Sequence, residues 1–154
     1  MSNGALQRDA NFRTVDTNEA FLLESTWTFS PATTGSVGTH TIFTATGNCL
    51  VSVFAICDSS LTSGGVATAA VGVAGNTAGI IAQTTATDIN DGDVWVNATP
   101  GVGVQALPST FILNDGADII LTIGTDTLTG GSADFYCTYR PLSSGAVVSA
   151  TTPA

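Results

Sequence analysis

The sequence predicts an all-β protein: a single antiparallel β-sandwich, jelly-roll-like or immunoglobulin-like, with about eight strands behind an extended N-terminal arm. Two observations carry that expectation. From Phe21 onward, short runs rich in Thr, Val, Ile and aromatic residues are broken by Gly, Pro, Asn and Asp, the punctuation of an all-β domain. No long helical pattern is present either. The Ala-rich stretch 67–74 comes nearest, but Gly72, Gly75 and its Val and Thr content favour a strand. A chain of 154 residues suits one domain that buries roughly 70% of its unfolded surface, a sufficient core without metal or disulfide.

Residues 1–20, MSNGALQRDANFRTVDTNEA, are polar and lack sustained strand periodicity. They read as an arm able to reach a neighbouring subunit or as a disordered terminus. FLLESTWTFS (21–30) is the first strand, closed by Pro31 and a Gly/Ser turn. THTIFTATG (39–47) alternates, and the nearly continuous apolar run NCLVSVFAICD (48–58) reads as a central strand. SSLTSGG reads as a loop. Residues 66–75 and 79–86 form a hairpin around Gly75-Asn76. VWVNAT (94–99) follows, then the loop PGVGVQALPS, and FILN (111–114) turns at Asp115-Gly116 into ADIILTIGT (117–125). DTLTGG reads as a turn before the last strand, SADFYCTYRPL (132–142). Residues 143–154 read as a small-residue tail, which gives three parts: arm 1–20, sandwich 21–142 and tail 143–154.

Charge narrows the function classes. Lys and Arg total 3 against 12 Asp and Glu, the net charge is −9, and no Lys or Arg occurs from Thr14 to Tyr139. Nucleic-acid binding depends on cationic neutralisation of phosphate, so no nucleic-acid partner is expected, and an anionic membrane is disfavoured for the same reason. Charged residues make up only 10% of the chain, against about 25% in ordinary soluble domains. Such a weakly charged surface suggests coverage by identical subunits or by a larger assembly. The N-terminus is polar and no apolar run approaches about 20 residues, so neither a secretory signal nor a membrane span is expected. Cys49 and Cys57 sit too far apart on one strand to bridge. Together with Cys137 they are expected as buried free thiols of a reducing cytoplasm.

The densest chemistry is TDINDGDVWVN (87–97), with Asp88, Asp91 and Asp93. A calcium loop needs oxygen ligands at positions 1, 3 and 5, Gly at 6 and Glu at 12. Counted from Asp88, positions 5, 6 and 12 are Gly92, Asp93 and Thr99, so the template fails. A tight turn at Asp91-Gly92 delivering Trp95 into the core is the expected structure, with an opportunistic cation site as the alternative. No metal or other cofactor is expected. His40, the single histidine, is expected to face solvent or an interface from its strand, and with no GxSxG elbow present no catalytic residue is assigned. Asp115, Asp118, Asp126 and Asp134 read as turn residues. The protein is therefore expected not to be an enzyme. Trp27, Trp95, Phe135, Tyr136 and Tyr139 read as core or subunit interface, with Phe135 and Tyr139 sharing one face and Tyr136 on the other.

The segment order QRDANFR, GTHTIFTATGNCLVSVFAIC, VGVAGNT, GDVWVNATP and GADIILTIGTDTLTGGSADFYCTYRPLSSGAVV resembles small virion structural proteins of tailed bacteriophages, of the capsid-decoration or head-associated β-sandwich type. The resemblance implies a protein without cofactor or enzymatic role, made in the host bacterial cytoplasm and sited on the capsid surface of the virion. It implies a homotrimer or other symmetric oligomer whose second partner is the phage major capsid protein. Arg8, Asp9, Asn11, Phe12 and Arg13 of the arm are the expected capsid or subunit contacts, Arg8 and Arg13 as charge partners of an acidic shell. The alternative is a tail or head-fibre component that binds a host-surface glycan through loop 100–110.

Overall fold

The computed structural model describes residues 20–153, together with the backbone of two short strands, β1 (Leu6–Arg8) and β2 (Thr14–Asp16). These pair antiparallel, Leu6 opposite Asp16. The sequence shows no sustained strand periodicity there because three-residue strands are too short to display a period of two. Of the expected contact residues, Arg8 lies on β1, while Asp9, Asn11, Phe12 and Arg13 lie outside the described residues.

Two five-stranded antiparallel sheets pack as a sandwich, as the alternation predicts. One sheet runs in the order β12 (Val147–Ala150), β4 (Gly38–Thr46), β10 (Ile119–Gly124), β6 (Thr68–Val73), β7 (Asn76–Thr85). The other runs β3 (Phe21–Thr28), β11 (Leu128–Pro141), β5 (Cys49–Ser63), β8 (Val94–Trp95), with β9 (Phe111–Leu113) on the same edge of β5 as β8. Between β3 and β6 successive strands alternate between the sheets, so each crossing carries its apolar side into the shared core. A 3₁₀ turn at Ala86–Asp88 is the one helical element among the described residues.

β5 and β11 form the spine. Val51, Val53, Ala55 and Cys57 of β5 face Ala133, Phe135, Cys137 and Tyr139 of β11 within the buried layer, and every second residue points away. From Ala133 to Pro141 the register runs without a shift. Trp27, Phe43, Ile81, Trp95, Ile119 and Leu121 complete the core. Cys49, Cys57 and Cys137 are free and buried there. Burial pushes the Cys137 thiol up to about 12 and the Cys57 thiol up to about 11, so both stay protonated at neutral pH.

Four local expectations are corrected. The loop SSLTSGG and the turn DTLTGG are extensions of β5 and β11, which pair Leu128 with Ser63, Gly130 with Thr62 and Ser132 with Ser59 through register shifts. Their Ser, Thr and Gly content carries little β signal, but Leu61 and Leu128 are buried, which anchors the pairing. VWVNAT contributes only Val94–Trp95 to the ladder. The tail contains β12, paired with β4 from Val147↔Thr46 to Ala150↔Phe43. Beyond it, the Thr151 N–H donates to Ile42 O at 3.0 Å, and buried Ser25 donates from Oγ to Thr151 O at 2.6 Å while accepting from Trp27 Nε1 at 2.9 Å. Residues 147–151 are thus part of the sandwich.

The two valines of β12 separate packing from composition, because Val148 is buried and Val147 is exposed. Val148→Asp places an unpaired carboxylate in the core and is expected to lower stability by about 3 kcal/mol or more. Val147→Asp stays within about 0.5 kcal/mol of the parent. Urea melts of both variants check the pair.

Candidate functional site

The aspartate-rich stretch forms the expected turn, and β5 holds it. The Asp93 N–H donates to Asn90 O at 2.9 Å, and Gly92, at the second central position, has φ +84, a conformation Gly adopts without strain. Gly92 N–H donates to Cys57 O at 2.8 Å, and Cys57 N–H to Asp93 O at 2.9 Å. Asp93 is buried, and its Oδ2 accepts the Asn90 N–H at 2.8 Å, a structural job for a carboxylate. Asp91 N–H donates to Ser60 Oγ at 2.9 Å. The turn delivers Trp95 into the core, where Nε1 donates to Thr84 Oγ1 at 2.9 Å and the ring meets Phe135 edge-on at 6.3 Å. Among the described residues, no three His, Cys, Asp or Glu side chains converge to hold a metal ion.

His40 lies on β4, as expected of a strand residue that faces solvent or an interface. It is half-buried, its ring lies edge-on to Trp27 at 5.9 Å, and Nε2 is 2.8 Å from Ser36 O, so the proton sits on Nε2. A shallow depression of about 320 Å³ opens beside it, lined by Trp27, Thr33, Thr34 and His40. The cause is register: His40 lies opposite Leu121, whose side chain is buried, and Trp27 packs against the half-buried ring.

The larger assembly of side chains lies on the outward face of the sheet β3–β11–β5. Its residues come into line through register. Glu24, Tyr136 and Phe54 form one row, and Thr26, Asp134 and Ile56 the next. Tyr136 stacks on Phe54 at 5.1 Å and 17°, and its hydroxyl donates to Glu24 Oε1 at 3.3 Å. Asp134, expected in a turn, is in the middle of β11. Asp134, Asp91 and Glu24 lie close enough to Asp58 to repel its charge. Desolvation first, then the Asp134, Asp91 and Glu24 charges, raise the Asp58 carboxyl above its ordinary value. Desolvation and then Glu24 similarly raise Tyr136. Asp134 Oδ1 is buried without a donor among the described residues, and the neighbouring Asp58 donates to Asp134 only when protonated.

Farther along the same face the character changes. Arg140 is exposed beside Leu50, and Ile112 of β9 lies next in that row at 69% exposure. An open depression of about 360 Å³ runs past Ala20, Leu50, Ser52, Thr110, Thr138 and Arg140. Chemically, then, the face offers a carboxylate cluster at one end, a guanidinium at the other and stacked rings between. Sequence reasoning assigned Tyr136 to the side opposite Phe135 but had no means of placing Glu24, Asp58 and Asp134 together. They are distant in the chain, and only the strand register joins them.

A raised Asp58 means the folded state binds this proton more tightly than the unfolded state. Its contribution is therefore most favourable below the ordinary carboxylate range and is lost as pH rises through the raised value. Asp58→Asn is expected to raise the Tm of dilute protein at pH 7, with the gain vanishing as acidification protonates Asp58 in the parent. Thermal melts across that pH range check the crossing. Comparison of the chain with protein-family models, with curated proteins and with solved structures finds no match.

Proposed function

We propose that the protein is a bacteriophage virion structural protein, a capsid decoration or cement protein that associates with copies of itself and binds the major capsid protein to stabilise the shell. The observation that supports this most is the outward face of β3–β11–β5, where Phe54, Tyr136, Leu50 and Ile56, all partly exposed, and exposed Ile112 lie in register, and no further sheet among the described residues packs over them. An apolar and aromatic sheet face of this kind suits a protein contact. Loop 100–110 adds Val102, Val104 and Leu107, all largely exposed. It carries no aromatic ring, so it suits an apolar protein surface better than sugar stacking, and the fibre reading gains nothing from it.

The role is mechanical. A subunit that spans neighbouring capsid proteins ties them together and raises the barrier to shell expansion or rupture, with no cofactor and no catalytic step. Arg8 and Arg13 supply the charge that an acidic shell surface would recognise. Arg8→Glu combined with Arg13→Glu is expected to lower particle occupancy without moving the Tm of the isolated protein. Particles assembled without the protein are expected to rupture at lower temperature and milder osmotic shock, and adding the protein back restores them. Equal resistance of bare and decorated particles would sink the cementing role.

A further inference from the structure

The outward face of β3–β11–β5 is complementary to itself, and we propose that it is an isologous dimer interface, formed with a second copy of this chain about a two-fold axis perpendicular to the strands. This rests on the self-association in the proposed function and gives it a face and a symmetry. β11 presents Asp134, Tyr136, Thr138 and Arg140 in succession, since Phe135, Cys137 and Tyr139 point into the core. The two charges of opposite sign thus stand at the two ends of one face, roughly 20 Å apart at about 3.3 Å per residue.

A two-fold axis crossing β11 at the level of Cys137 sets each row over its mirror row, so residue i meets j and j meets i. Arg140 then lies over the second copy's Asp134. The same operation places Leu50 over Ile56 and Ile112 over Val94, because Arg140, Leu50 and Ile112 share a row and Asp134, Ile56 and Val94 share the other. Between them, the bulky Tyr136–Phe54 pair lies over Thr138 and Ser52, small side chains in register with each other. Large therefore meets small, apolar meets apolar, and the cation meets the carboxylates.

Charge argues for this occupant over others. Arg140 is the single Lys or Arg after Arg13. The carboxylates it would meet are crowded, with Asp134 Oδ1 lacking a donor. A guanidinium at the rim of that cluster offsets the repulsion without touching Oδ1. The face is four strands wide and about seven residues long, roughly 20 by 23 Å. Counting both copies, it comes near the ~1,000 Å² lower bound of specific interfaces. Association is therefore concentration-dependent and weakened by salt.

The test uses the full chain and two charge reversals whose mixture behaves unlike either alone. Arg140→Asp sets carboxylate against carboxylate at both contacts of its dimer, and Asp134→Arg sets guanidinium against guanidinium. In the mixed dimer both contacts are opposite-charge pairs. Sedimentation velocity over a concentration series is expected to show a dimer for the parent. For each variant alone, the apparent dissociation constant rises by at least about tenfold, and equimolar mixing recovers the dimer. Thr138→Glu, set over Tyr136 and Glu24 of the second copy, is expected to give monomer while circular dichroism and Tm report an intact fold, which keeps the test decisive if Asp134→Arg fails to fold. A monomeric or trimeric parent, variants that still dimerise, or a mixture that stays monomeric would each overturn the interface. No particle enters this experiment, so intact dimers that fail to bind capsids would instead overturn the cementing role alone.

Discussion

Strand β11 is hydrogen-bonded on both edges over most of its length, to β3 from Phe21 to Thr28 and to β5 from Cys49 onward. Because side chains on a strand alternate with a period of two, a slip of one residue would exchange its two faces. The buried face, Ala133, Phe135, Cys137 and Tyr139, cannot tolerate Asp134 or Arg140 in its place. Core burial therefore dictates which residues reach the surface, and in what order. The Glu24–Tyr136–Phe54 row, the Asp134–Asp58 crowding and the position of Arg140 all follow from that one register.

The other sheet and the connections serve this arrangement. The aspartate turn fastens Asn90–Asp93 to β5 through backbone bonds to Cys57 and sends Trp95 against Phe135, behind the face. Its acidic residues divide by role: Asp93 caps a backbone N–H inside the turn, while Asp91 stands outside and adds to the charge around Asp58. β12 and Thr151 close the far side of the core through Ser25 and Trp27. Carboxylates that are dispersed in the sequence thus concentrate on one patch around Asp58.

Local chemistry was legible in the sequence. The Asp91-Gly92 turn, the hairpin near Gly75, the alternation of β10 and β11, and the burial of Trp27 and Trp95 all rest on residues close in the chain, whereas β4 buries the adjacent Ile42 and Phe43 at a register shift. Features that depend on distant pairing were not. Ser and Thr at the ends of β5 and β11 look like loop residues until Thr62 and Thr129 face each other with hydroxyls 3.0 Å apart. The strand in the tail has four residues and one buried valine, too little for a period to show. Asp134 looked like a turn residue because Asp is common there, and its strand position is enforced by its neighbours Ala133 and Phe135. The candidate face is a property of register, which composition does not contain.

The central claim, that this register builds a surface for a second copy, is tested most directly by distances between copies. The native thiols are buried and held protonated, so a cysteine introduced on the edge strand β3 takes a spin label selectively. Leu22 pairs with Thr138 near the axis, and Thr28 pairs with Ser132 far from it. With sheets ~10 Å apart and ~3.3 Å per residue, the two-fold packing predicts backbone separations of about 12 Å between copies labelled at Leu22→Cys and about 35 Å at Thr28→Cys. Electron paramagnetic resonance that finds the short and the long distance in that order supports the account. Equal distances at the two positions, the reverse order, or no coupling between copies would contradict it.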